Sequence, residues 1–157
     1  MDTLIGYLIH PFQKRGSRQA ISSAPKFYLF DVGIANYICG NTVLSTSGAD
    51  FGRSFEHFIF LELVAATSYQ NLDTRIEYWR TKSGLEVDFV LDNGTLAIEV
   101  KSRLRTRELR AIKAFKEEFR PQRSIIVTAE PTNRVIDGIE VLNYEIFLDK
   151  LHRNQLL

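Results

Sequence analysis

The dipeptide Asn93-Gly94 restricts the fold of this chain more than any other feature. It separates two strand-like runs, residues 85–91 and 95–101, and Asn-Gly is the strongest short signal for a β-hairpin with a two-residue turn. A third run of this kind, 75–81, precedes them and is set apart by a Lys-Ser-Gly turn. The sequence thus predicts three consecutive strands, and the turn fixes the register between the last two.

The predicted register places Asp88 directly across from Glu99. Residues opposite each other in an antiparallel pair have Cβ atoms about 5 Å apart, and alternation along the strand places Lys101 on the same face as Glu99. The strand neighbours of Asp88 are expected on the other, apolar side of the sheet: Val87, Phe89 and Leu91. Two acidic side chains and a lysine are therefore predicted to share one face.

Two carboxylates opposite each other repel and destabilise a sheet, so something must offset the repulsion. Mg²⁺ or Mn²⁺ would do so, because these ions bind one or two carboxylates together with water and phosphate oxygens. A shared proton or a neighbouring cation would do so as well. The same register places Lys101 opposite Glu86, where an ordinary cross-strand ion pair could form. Spacing alone leaves these alternatives open.

Apolar periodicity and turn residues indicate the other elements. Helices are expected at 51–68, 106–119 and 144–151, a central strand at 124–128 and a short strand at 139–142. The continuous apolar run at 124–128 is typical of a strand buried on both faces. The predicted fold class is α/β, with an αβββαβ core in which a central mixed sheet is flanked by helices.

Glu56 lies in an unusually apolar part of the first of these helices, on a strip with Gly52, Ile59, Phe60 and Leu63. A buried acid needs either a partner or a function. If this helix packs on the sheet, Glu56 would supply a third carboxylate to the site. The alternative is a glutamate at the helix rim that extends to water.

A length of 157 residues fits one domain, or one domain with a small attachment. The polar stretch 41–50 is the best boundary, between an N-terminal segment, 1–47, and a main domain, 48–157. Within the N-terminal segment, 13–23 indicates a loop or β-wing. A strand and a short helix are expected at 26–40, with Asp31 as the helix cap.

Cys39 is the only cysteine, so an internal disulfide is excluded and a reducing cytoplasm is the expected location. No run of about 18 apolar residues occurs, and the first residues lack the basic-then-apolar order of a signal peptide.

Basic residues are concentrated between Lys101 and Arg123, where nine Lys or Arg stand against three Glu. A local excess of this kind would attract a polyanion such as DNA, although most charge runs are solvated helix faces. The candidates in this stretch for contacts with DNA are Arg103, Arg105, Arg107 and Arg110.

Several motifs, taken in order, resemble those of the PD-(D/E)XK nuclease superfamily: Gly52-Arg53-Ser54-Phe55-Glu56, Glu86-Val87-Asp88-Phe89-Val90 and Ile98-Glu99-Val100-Lys101. More narrowly, they resemble the C-terminal domain of a family of prokaryotic AAA-type ATPases, in which a Lys-x-Tyr-x-x-Asp-x-Gly segment comes first. Residues 26–33 fit that segment, and Tyr78-Trp79-Arg80 fits its aromatic-then-arginine strand. The likeness covers about residues 24–150, and the first 25 residues resemble the end of a winged-helix segment.

This resemblance implies a restriction-endonuclease-like core and metal-assisted hydrolysis of phosphodiester bonds in DNA. Asp88 and Glu99 would bind Mg²⁺ or Mn²⁺, and Glu56 would be a further ligand, direct or through water. Lys101 would orient or help deprotonate the attacking water and stabilise charge on phosphorus. Arg80 would contact phosphate, with an ion pair to Glu86 as the alternative.

The chain departs from the family pattern in three ways. Val87 stands in place of proline, and the second helix lacks the Gln-x-x-x-Tyr element of the RecB-like branch. No Gly-x-x-x-x-Gly-Lys-Ser/Thr loop occurs, so ATP binding is not carried over. The chain therefore looks like the C-terminal part of such an ATPase, with the motor module as an expected partner. The alternative function is a catalytically silent nuclease fold that binds DNA or docks to a protein.

Overall fold

The structure, a computed structural model, describes residues 5–13, 24–41, 48–105 and 108–157. In these residues it is a mixed α/β fold with four α-helices, a two-stranded sheet and a six-stranded sheet. The strands are β1 (Gly6–Ile9), β2 (Lys26–Leu29), β3 (Ile76–Arg80), β4 (Glu86–Leu91), β5 (Leu96–Lys101), β6 (Arg123–Thr128), β7 (Arg134–Ile136) and β8 (Ile139–Asn143). The helices are α1 (Val32–Ile38), α2 (Ala49–Tyr69), α3 (Leu109–Phe119) and α4 (Tyr144–His152).

The six-stranded sheet has the order β3-β4-β5-β6-β8-β7. Its β5–β6 and β6–β8 pairs are parallel, and the other pairs are antiparallel, so the predicted mixed central sheet is confirmed. The α2-β3-β4-β5-α3-β6 part follows the predicted element order. Strand β7 was not predicted, because its three residues are largely exposed and carry no clear apolar alternation.

Helices cover both faces of this sheet and create two apolar cores. One core packs α2 and α4 against the sheet through side chains such as Phe60, Leu63 and Phe147. The other packs α3 through Ile112 and Phe115. The apolar face of α3 is therefore the face that it buries. In the described residues, no helix has the length and apolar character needed to cross a membrane.

The β4–β5 hairpin has the register that the sequence predicts, but the ladder closes at Leu91 and Leu96, so its loop is residues 92–95 and not the predicted two-residue turn. Asp92 (φ 49°), Asn93 (φ 54°) and Gly94 (φ 94°) are all left-handed, and Thr95 is in the right-handed helical region (φ −77°, ψ −27°). Thr95 N–H donates to the Asp92 carbonyl at 3.2 Å. The ladder pairs Phe89 with Ile98, Val90 with Ala97 and Leu91 with Leu96.

Strand β4 does not alternate regularly, contrary to the prediction. Val87 pairs with Trp79 and Val90 with Glu77, so Asp88 and Phe89 together stand opposite a single residue of β3. This is a β-bulge, which re-aims side chains and interrupts pairing. As a result Val87 packs in the α3 core while Phe89 packs in the α2 core, so the prediction that both face away from Asp88 was wrong. The ladder between β4 and β5 runs from Leu91 back to Phe89 and does not include Asp88, so the predicted direct pairing of Asp88 with Glu99 is not part of it.

The N-terminal segment packs on both cores. Strands β1 and β2 form an antiparallel pair, from which Ile9 and Tyr28 enter the α2 core. The chain after β1 runs beside β3, where Phe12 N–H donates to the Tyr78 carbonyl at 2.6 Å, and the Phe12 ring enters the α3 core. Asp31 caps α1 as predicted, accepting from Ile34 N–H at 2.8 Å. Most of the loop or β-wing predicted at 13–23 lies outside the described residues.

Candidate active site

The bulge in β4 and the last residues of β5 bring Asp88, Glu99 and Lys101 together. The ammonium nitrogen of Lys101 lies 2.6 Å from Glu99 Oε1 and 3.4 Å from Asp88 Oδ2. Both acids are buried, with 5% exposure for Asp88 and 3% for Glu99, whereas Lys101 is partly open to solvent. The three residues that the sequence placed on one face therefore form one cluster around a shared cation.

Asp88 is held by the main chain of the neighbouring strand. Its Oδ2 accepts the Val100 N–H at 2.8 Å, where the strand ladder has ended. Burial raises the pKa of Asp88 to about 6, and the charge of Glu56 adds to the rise. Lys101, Lys26 and the Val100 N–H oppose this rise because each favours the ionised form.

Glu99 has one oxygen engaged and one without a partner. Oε1 accepts from Lys101, while Oε2 is buried and has no hydrogen-bond donor among the described residues. Burial raises the pKa of Glu99 well above its usual value, and the charge of Asp88 raises it further, against the effect of Lys101. A buried acceptor without a donor costs free energy. The position therefore favours either a proton or a cation beside Oε2.

Lys101 is an ammonium in this arrangement. Burial lowers its pKa, but the charges of Asp88 and Glu99 outweigh burial and raise the pKa above the usual value for lysine. Its Nζ also donates to the Val100 carbonyl at 3.1 Å. A charged lysine orients water and phosphate oxygens and stabilises negative charge. It does not accept a proton, so water activation by Lys101 as a base is disfavoured in this state.

Glu56 reaches the same cluster from α2, but its Oε1 is already occupied. Tyr28 O–H donates to this oxygen at 2.6 Å and Lys26 Nζ donates at 3.2 Å. Its charge is felt at both buried acids, since it raises the pKa of Asp88 and of Glu99. In the described part of the chain, no three His, Cys or carboxylate side chains form a group that could hold a metal ion.

Three residues of this site were not selected from the sequence: Lys26, Tyr28 and Glu86. Lys26 Nζ bridges Glu56 and Glu86, so the cross-strand pair considered between Glu86 and Lys101 does not form. The sequence signal for Lys26 and Tyr28 is the Lys-x-Tyr spacing at 26–28, which is part of the motif that carries the family resemblance. Nothing in that local sequence indicated that β2 would run beside α2.

A family model described as a domain of unknown function (DUF4143) matches residues 51–147. The chain belongs to the DUF4143 family. No curated protein and no solved structure matches the chain. The matched part of this DUF4143 protein contains Glu56, Asp88, Glu99 and Lys101, and it leaves out Lys26 and Tyr28.

The basic residues selected in the DUF4143 protein are spread over several places. Arg103 and Arg105 line an open cleft of about 1280 Å³, together with Ser102, the residue that follows Lys101. The cleft is also lined by Glu108 and Glu130, so its charge is mixed.

Two other selected arginines lie apart from that cleft lining. Arg80 Nε lies 3.6 Å from Glu86 Oε2, so Arg80 forms the ion pair that was the alternative to a phosphate contact. Arg110 is exposed in the first turn of α3. Arg107 lies outside the described residues.

Proposed function

We propose that this domain is a metal-dependent nuclease that hydrolyses phosphodiester bonds in DNA, with the PD-(D/E)XK set Asp88, Glu99 and Lys101. The observation that carries the proposal is one lysine ammonium in contact with two buried carboxylates at the end of a hairpin. Perturbed ionisable groups held together in this way are typical of functional sites.

The residues present fit a hard divalent cation. Mg²⁺ commonly binds one or two carboxylates and completes its shell with water and phosphate. Asp88 and Glu99 would supply these carboxylates, and the unpartnered Glu99 Oε2 is a ligand atom that the protein leaves unused. Glu56 remains the proposed third ligand, through water, because its Oε1 is taken by β2. When bound, such an ion acts as a Lewis acid and lowers the pKa of its water.

The chain's own residues would bind and orient the phosphodiester. Lys101 contacts two carboxylates and a carbonyl, which together take up its three N–H groups. It would reach a phosphate oxygen or the attacking water by releasing the longest of these contacts, the one to Asp88 at 3.4 Å. The Val100 N–H holds Asp88 in place, which reduces the motion needed to reach the productive geometry. Arg103 and Arg105, in the adjoining cleft, would contact flanking phosphates.

Nicking of supercoiled plasmid DNA with Mg²⁺ or Mn²⁺ tests this proposal. Lys101→Met and the isosteric Asp88→Asn should each lower the nicking rate by at least about 100-fold, the lower range for one positioned catalytic side chain. Lys150→Met, in α4, is the control and should keep the wild-type rate. Wild-type protein without nicking activity, or undiminished nicking by Lys101→Met, would contradict the proposal.

A second candidate is a silent nuclease fold that binds DNA or docks to a protein. The observation that favours it is that lysines offset the carboxylate charges without a metal. Lys101 pairs with Asp88 and Glu99, and Lys26 pairs with Glu56. Such a domain should bind DNA in a salt-dependent way that survives Asp88→Asn. A domain that only docks to a protein should bind neither DNA nor metal.

We also propose an AAA-type ATPase module as the partner of this domain. The support is the resemblance of residues 26–33 to the segment that precedes the nuclease-like part in such ATPases. Co-purification of this protein with that module would test the partnership, and failure of the two to co-purify would contradict it.

A further inference from the structure

Lys26 lies among the carboxylates of the site although it belongs to a separate two-stranded sheet. Its Nζ donates to Glu56 Oε1 at 3.2 Å and forms an ion pair with Glu86. The ammonium also lies 5.3 Å from the centre of the Tyr78 ring. Only 23% of its side chain is exposed, so this cation is held in place by several contacts at once.

The charges divide into two groups, each with its own lysine. Lys101 neutralises the pair formed by Asp88 and Glu99, while Lys26 neutralises Glu56 and Glu86. Lys26 also acts on Asp88 through its charge, since it opposes the burial that raises the pKa of Asp88. A fixed positive charge at this point repels any second cation.

Sites that use two divalent ions place them about 3.5–4 Å apart, bridged by a shared carboxylate. With Asp88 as the shared ligand, the second ion would lie between Asp88 and Glu56. The Lys26 ammonium contacts Glu56 Oε1, and Tyr28 O–H donates to the same oxygen. Both donors come from β2, so this strand controls whether Glu56 can act as a ligand.

We propose that Lys26 is the built-in second cation of this site, so that the protein binds a single divalent ion, at Asp88 and Glu99. The inference rests on the proposed function, because it requires the metal site. It makes Lys26 a positioning residue that holds Glu56 and Glu86 and sets the metal stoichiometry. Removing its charge should free Glu56 for a second ion.

Titration of the full chain with Mn²⁺, followed by the electron paramagnetic resonance signal of free Mn²⁺, counts the bound ions. Wild-type protein should bind one ion. Lys26→Met keeps most of the side-chain length but not the charge, and should bind two. A second ion about 4 Å from the first should also broaden the bound-ion spectrum by spin coupling.

Two further variants separate charge from structure. Lys26→Arg keeps the positive charge and should bind one ion. Lys113→Met removes another ion-paired lysine, whose partner is the exposed Asp137, and should also bind one ion. Fluorescence of Trp79, which is buried, reports whether each variant is folded.

The outcomes distinguish the two proposals. One ion in both wild type and folded Lys26→Met overturns the role of Lys26 and leaves the proposed metal site standing. Two ions in wild type, or two in Lys26→Arg, also overturn that role. If neither wild type nor Lys26→Met binds Mn²⁺, the proposed function itself fails, and the role of Lys26 fails with it.

Discussion

The stability of the metal-free protein should fall as the pH rises from about 4 to about 6, because of Asp88. The pKa of this carboxyl is raised from 3.8 to about 6 in the folded state, mainly by burial. The folded protein therefore holds a proton that the unfolded chain has already lost in this interval. The stabilisation is fully present below pH 3.8 and is lost as the pH rises through the folded pKa.

The size of the effect follows from the shift. Each pKa unit corresponds to about 1.4 kcal/mol, so Asp88 alone accounts for a loss of at most about 3 kcal/mol in the free energy of unfolding. Glu99 contributes in the same direction, since its pKa is also raised by burial and by Asp88. In Asp88→Asn the Asp88 share of this slope should disappear, because the amide has no proton to lose. The part of the Glu99 share that is due to burial should remain, so the slope should be smaller than in wild type but not zero.

Urea unfolding at a series of pH values, with a chelator present and Trp79 fluorescence as the probe, measures this dependence. Trp79 is the only tryptophan and is 2% exposed, so its emission reports the loss of the α3 core. Asp73→Asn removes an exposed carboxylate and should keep the wild-type slope. Equal slopes in wild type and Asp88→Asn, or a wild-type stability that rises over this interval, would refute the reasoning.

The remaining predictions concern the hairpin turn and the cleft lined by Arg103 and Arg105. Gly94→Ala should cost about 2–4 kcal/mol in unfolding free energy, because a Cβ there lies 2.7 Å from the Phe12 ring and the backbone is left-handed. Gly84→Ala shares the positive φ but meets no atom within 4 Å, so it should cost only about 1–2 kcal/mol; equal losses at both glycines would contradict the clash. Replacing Arg103 and Arg105 with Ala should lower the slope of log affinity for DNA against log salt by about 2, and an unchanged slope would exclude both from phosphate contacts.

The hairpin could be predicted from the sequence because its information is local. The Asn93-Gly94 dipeptide favours a left-handed backbone, and the register of the last two strands follows from a reversal centred on it, although Asp92 is left-handed as well. The bulge at Asp88 could not be predicted in this way, since it depends on how β4 pairs with β3 on its other side. Regular alternation therefore gave the correct cluster but wrongly placed Val87 and Phe89 on the same side of the sheet.

The contacts that β2 makes with the site could not be predicted from the sequence, for a different reason. Lys26 and Tyr28 precede Glu56 by about thirty residues and belong to another sheet. Periodicity assigns a strand its buried face but not the helix beside which it lies. The partners of Glu56 could thus be found only from the packed structure, whereas its location in an apolar strip of α2 was visible in the sequence.

The matched family region is smaller than the unit that folds. Residues 51–147 exclude β1 and β2, whose Ile9 and Tyr28 fill the α2 core, and they stop within α4 before the buried Leu151. A protein trimmed to those limits would expose apolar surface on both sides of the sheet and should aggregate or require a solubilising fusion. Homologues compared only over that interval would also show the acids of the site without the lysine that accompanies Glu56.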